Sequence, residues 1–194
     1  MHRTHSSFST VVAVTIVVAA RLASAGSAAV RIDLSSTNSA APPPPTGFHL
    51  DGGASSIDAL LDEFLIALQT KDEHALTRLR VTEEEYRTII IPGTVKPGEP
   101  LREVADAPSV FFWRVLNQKS EDVARVLFEG FGGRALARRE LRFTKGSRQF
   151  AAYTAHGDVR LLVLNEFGEQ RELRTGTIAE VGSQYKFIGF NSNN

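Results

Sequence analysis

Between Arg148 and Phe190 the chain reads RQFAAYTAH, VRLLVLNEF, EQRELRTGTIAEV and QYKFIGF, four apolar-rich runs separated only by HGD, the residues around Gly168, and VGS. Short glycine-containing breaks between β-branched and aromatic runs are hairpin signals, so this stretch is expected to form an antiparallel meander in one sheet. Side-chain parity then says what the sheet needs. Val159, Leu161 and Val163 fall on one face and Leu162 and Leu164 on the other, and Tyr185 and Phe187 oppose Ile188 and Phe190. A wet second face would forfeit about 1.5–3 kcal/mol for each large side chain left on it. Helices are therefore expected on one face and a second copy of the chain on the other. Gly176, in the middle of LRTGTIAEV, marks a bulge or bend, so the sheet should curve.

The covering helices come earlier in the chain. Ser55 or Ser56 can cap a helix in which Ile57, Leu60, Leu61, Phe64, Leu65 and Leu68 make one apolar stripe. The pattern breaks near Thr70-Lys71 and restarts at Asp72 as DEHALTRL. Thr82 and Glu85 then fit a capping box that opens a third helical segment, closed by Pro92-Gly93. The glutamates Glu83–Glu85 read as anions placed at a helix N-terminus rather than as metal ligands. Prolines 92, 97, 100 and 108 predict an extended loop. A second helical block follows from about Ser109 to Phe131, recapped at Ser120-Glu121-Asp122 and ended by Gly130, Gly132 and Gly133. EGFGGR follows a helix instead of preceding one, so it is no phosphate cradle. A first strand from Ala135 to Phe143 should join the meander through a hairpin turn at Lys145-Gly146-Ser147.

The N-terminus constrains location. Arg3, the apolar run Val11–Ala20 and the small-residue site Ala23-Ser24-Ala25 have the layout of a secretory signal peptide, residues 1–25, cut after Ala25. Arg21 interrupts the run well short of a spanning helix, so the mature chain is expected to lack a membrane span and to be secreted or periplasmic. Residues 26–55 are rich in Ser, Ala, Pro and Gly and read as a flexible linker, with Pro42–Pro45 a short polyproline rod. Residues 56–190 would form a single domain and 191–194 a tail. Cysteine is absent, so no disulfide contributes to stability even in an oxidising compartment.

Several chemistries lack their residues. The 22 basic and 22 acidic side chains balance, which gives no field favouring nucleic acid. His74 and His156 are the histidines of the expected domain and belong to no ligand motif, so neither metal nor cofactor is expected. No nucleophile-elbow, P-loop or dinucleotide pattern occurs. Arg134, Arg138, Arg139, Arg142, Lys145 and Arg148 form a basic group whose members Arg138 and Arg142 are candidates for contact with an anion. Charge that protects a strand edge explains the same residues.

Helices followed by a curved antiparallel sheet make an α+β cone. FLIALQTKDEHALTRL resembles the opening helix pair of the nuclear transport factor 2-like superfamily, and TGTIAEVGSQYKFIGF is similar to its closing hairpin. The resemblance implies a cone-shaped fold whose members include isomerases, dehydratases, cyclases and hydrolases beside non-catalytic binding modules. Catalysis there would draw on carboxylates, Tyr or His in an apolar pocket, where desolvation raises carboxylate pKa values. The matching candidates are Tyr86, Trp113, Tyr153, His156, Asp158, Glu166 and Glu180, although His156-Gly157-Asp158 also reads as ordinary turn chemistry. The expectation is a non-catalytic binding or interaction domain, homodimeric through its sheet, holding a small apolar ligand or a protein partner. The alternative is a small-molecule isomerase, dehydratase or hydrolase of the ketosteroid-isomerase type. A cone interior filled by Phe64, Phe111 and Trp113 would favour the first, and an open pocket with a buried carboxylate or His the second.

Overall fold

Residues 47–190 are described by the structure, a computed structural model. The expected signal peptide, the linker as far as residue 46 and the tail 191–194 lie outside the described residues. Helix α1, Ile57–Thr70, starts at Ser56, whose Oγ accepts the Ala59 N–H at 3.0 Å, and stops where Lys71 turns left-handed at φ 55°. Its predicted stripe is buried, from Leu60 to Leu68. Helix α2, Glu73–Arg78, is capped by Asp72. The capping box forms at α3, Glu83–Glu85, which runs through a π-helical turn, Tyr86–Ile90, into α4, Ile91–Gly93. Helix α5, Asp106–Phe131, is continuous over 26 residues, so the restart expected at Ser120 does not occur. Ser120 is instead buried, donating to Leu116 O at 2.8 Å and accepting from Phe190 N–H at 3.1 Å.

The strands are β1 (Leu136–Phe143), β2 (Ser147–Gln149), β3 (Thr154–Asn165), β4 (Gln170–Val181) and β5 (Gln184–Gly189). They form one antiparallel sheet in the order β1-β3-β4-β5, with β2 pairing further along β3. The class is α+β. Two turns fall elsewhere than the sequence suggests. Residues 145–147 do not reverse the chain, because β1 and β2 both pair antiparallel with β3, and the reversal falls at 150–153, where Phe150 N–H reaches Tyr153 O at 2.8 Å. His156-Gly157-Asp158 lies within β3 as a bulge, with Asp158 at φ 51° and a register shift between His156 and Val159. Gly176 does mark an irregularity, at φ 113° and opposite Val159 where the register slips again.

The free edge of β5 is covered by the chain itself. Ala54 exchanges backbone hydrogen bonds with Tyr185, and Leu79 and Val81 bond Phe187. Leu50 is fully buried and its N–H donates to Gln184 Oε1, so the last part of the stretch read as linker is packed on the domain. The main core lies between α1 and one sheet face, where Phe64 meets Phe187 and Phe190 at ring separations of 5.4 and 5.9 Å. A second core joins Leu50, Val81, Ile89, Ile90, Tyr153, Ala179 and Val181, with Ile188 packed against it.

That second core means that the chain covers one end of the far face with its own elements. The remainder carries paired rows, Glu140–Leu162–Glu172 and Arg142–Arg160–Arg174, tied by Arg160 to Glu172 at 3.1 Å and to Asp158 at 3.2 Å. Phe111 does not fill the interior as expected but is 62% exposed on α5 beside Phe112. Among the described residues no helix is long and apolar enough to cross a membrane.

Candidate functional site

Two arrangements of side chains stand out, on different parts of the domain. The first is built where the 79–81 segment runs along β5 and α5 passes beside it. Arg80 lies between Leu79 and Val81, which enter the two cores. Its guanidinium sits 5.8 Å from the Trp113 ring centre and 5.7 Å from that of Phe190, and Nη2 donates to Asn117 Oδ1 at 3.1 Å. Burial lowers its pKa from the ordinary arginine value, and the charge of Glu121 opposes that shift.

A cleft of about 740 Å³ opens here, with Trp113, Asn117, Arg80, Ile66 and Lys186 in its lining. A second, of about 530 Å³, lies between α2 and α5 and reaches Phe128 and Phe190. Lys186 closes one part of the larger cleft as half of a buried ion pair. Its Nζ donates to both oxygens of Glu85 at 2.9 and 3.0 Å, and the same oxygens accept the N–H groups of Asp51 and Thr82 at 2.7 and 2.6 Å. Glu85 stands in the first turn of α3 and closes its capping box, as expected, but it is buried. It is the fully bonded partner of a buried lysine, a role that distinguishes it from the exposed Glu83 and Glu84.

The second arrangement follows from the β3 bulge, which holds His156 within a strand. Its Nδ1 is 2.7 Å from Ser147 Oγ and its Nε2 is 2.8 Å from Glu180 Oε2, while Tyr185 donates to Glu180 Oε1 at 3.0 Å. An ionised carboxylate can only accept, so Nε2 carries a proton toward Glu180, and in the neutral ring Nδ1 accepts from Ser147. Burial first, and then the Glu180 carboxylate, raise the Tyr185 pKa. Serine, imidazole and carboxylate in that order match the parts of an activated nucleophile. None of these four residues lines either cleft.

The structure therefore divides the residues expected to share one pocket. His156 and Glu180 come together, and Trp113 and Tyr86 form a separate pair with rings 5.5 Å apart. Tyr153 is buried in the second core, bonded to Thr94 at 3.0 Å and stacked on Phe150, and burial raises its pKa. Tyr86 is raised by burial as well. Glu166 is exposed in the β3–β4 turn, apart from both groups. Asp158 belongs to the bulge, where the Thr144 hydroxyl and then Arg160 hold its carboxyl below the usual range.

Of the two candidate anion contacts, Arg138 is paired with Asp58 at 2.7 Å and Asp62 at 3.5 Å, and Arg142 is bidentate on Glu140 at 2.6 and 2.8 Å. They stand opposite core Val163 and surface Arg160 respectively, hence on opposite faces of the sheet. Arg80, Asn117, Ser147, Tyr185 and the Glu85–Lys186 pair were not singled out by the sequence. A signal existed for two of them, since Arg80 and Lys186 each interrupt apolar residues at positions that pair with or lie in β5. Among the described residues no group of three or more His, Asp or Glu could hold a metal ion. Comparison with protein-family models, curated proteins and solved structures finds no match.

Proposed function

We propose that this chain is a secreted or periplasmic, non-catalytic binding domain of the nuclear transport factor 2-like type that holds a small, largely apolar ligand. The observation that carries the reading is the cleft of about 740 Å³ beside Trp113. It lies within the usual size range of small-molecule sites. The interior between α1 and the sheet is packed by Phe64, Phe187 and Phe190, which favours a ligand seated in the cleft over one held inside the cone. Titration with the neutral fluorescent probe N-phenyl-1-naphthylamine should saturate, and Trp113→Ala should weaken it severalfold. A linear, non-saturating signal in the native chain ends the proposal.

A second reading, a small-molecule hydrolase, is favoured by the Ser147–His156–Glu180 chain of hydrogen bonds. It predicts turnover of p-nitrophenyl acetate that both Ser147→Ala and His156→Ala abolish. Rates equal to free imidazole remove it. Pairing of two copies remains part of the proposal, through the open part of the far face where Leu162 and Leu164 lie half-buried among the charged rows. Exported protein should begin at Gly26 and sediment as a dimer at micromolar concentration, and a monomer there withdraws the pairing.

A further inference from the structure

Arg80 is only 4% exposed, and with Thr77 it is one of two residues that line both clefts. Such a group would ordinarily lie against a carboxylate. Here the guanidinium donates to the neutral amide of Asn117, and the Glu121 carboxylate, whose charge acts on Arg80, is itself bonded by the Nδ2 of that amide at 2.7 Å. The buried Nε of Arg80 has no acceptor at all. Two aromatic rings flank the charge instead. A desolvated cation in the lining of two clefts that keeps an unused donor leaves a place for an anion from outside the chain.

Neighbouring charges narrow what that anion can be. The guanidinium fork fits carboxylate and phosphate alike. The larger cleft, however, also carries Asp51, Glu63 and Asp72, against Arg78 and a Lys186 that Glu85 already neutralises. Three carboxylates at the rim oppose a dianion more strongly than a monoanion. The ring of Trp113 and the side chain of Ile66, both in the lining of the larger cleft, offer contact to an apolar body. Building on the binding role proposed above, we infer that Arg80 anchors the carboxylate of a small amphipathic acid whose apolar part lies along the Trp113 side of the larger cleft.

Trp113 is the single tryptophan of the chain, so its emission reports the site directly. Native protein is titrated with phenylacetate and octanoate, with phenylacetamide as the neutral counterpart and inorganic phosphate as the competing anion. The acids should saturate and bind at least about tenfold more tightly than the amide, the increment expected of a hydrogen-bonded charge. Arg80→Met should bring the acid down to the level of the amide, with a much smaller loss for the amide than for the acid, and Arg80→Lys should keep part of the preference. Amide and acid binding equally overturns the anion anchor while leaving a neutral-ligand cleft in place. Phosphate displacing phenylacetate at lower concentration overturns the choice of carboxylate, and no saturable change with either acid overturns the inference outright. If Arg80→Met does not fold, the acid-to-amide ratio in the native chain decides.

Discussion

Lys186 is the side chain whose environment departs furthest from its chemistry. It stands between Tyr185 and Phe187 on β5, is 2% exposed, and carries its charge against Glu85 from a helix 101 residues earlier in the chain. Both carboxylate oxygens are also bonded to backbone N–H groups, so no lone pair is left over at this junction of the N-terminal segment, α3 and the sheet. Removing one partner from such a pair strands the other in the interior. Lys186→Met is expected to destabilise the fold by about 3–5 kcal/mol in urea unfolding, whereas Glu85→Gln combined with Lys186→Met should cost less than the sum of the single changes. An additive result would mean that the two groups act independently.

Elements obeyed their local signals where a hydrogen bond could be satisfied nearby and departed from them where the rest of the fold offered a better partner. Caps at Ser56, Asp72 and Thr82 form as the residues suggest, because each needs only a backbone N–H three positions on. Ser120-Glu121-Asp122 has the same local grammar, yet α5 continues through it since Phe190 supplies a buried N–H for the serine oxygen. The β3 bulge is the other case. Histidine, glycine and aspartate suit a turn, but β4 pairs on both sides of them and Thr144 and Arg160 hold the Asp158 carboxylate in place. A carboxyl depressed in the folded state contributes stability above its unfolded pKa, and that contribution is lost as pH falls through the folded value. Urea midpoints of the native chain should therefore fall on acidification below about pH 4, the unfolded reference. Asp158→Asn should be less stable at neutral pH and lose less on acidification, and parallel pH profiles for the two chains would refute the assignment.

The whole molecule shows where apolar pattern alone misleads. An interior filled by Phe111 and Trp113 is what the pattern of a filled cone asks for, but α5 meets the domain through Trp113, Leu116, Ser120, Leu127 and Phe128 and turns Phe111 outward together with Phe112. Phe111→Ser with Phe112→Ser should leave the unfolding free energy within about 0.5 kcal/mol of native, as for other exposed positions. A loss of several kcal/mol would place these rings in a packed interface. From its residues alone the chain determined the helix caps at Ser56, Asp72 and Thr82, the stripe of α1, the strand-rich C-terminal third and the irregularity at Gly176, because each follows from periodicity or backbone preference within a few residues. Tertiary structure decided the rest. It paired Glu85 with Lys186, linked Ser147, His156 and Glu180, isolated Arg80 between two clefts and covered part of the far face, since these depend on which distant segments the sheet register and helix crossings bring within hydrogen-bonding reach.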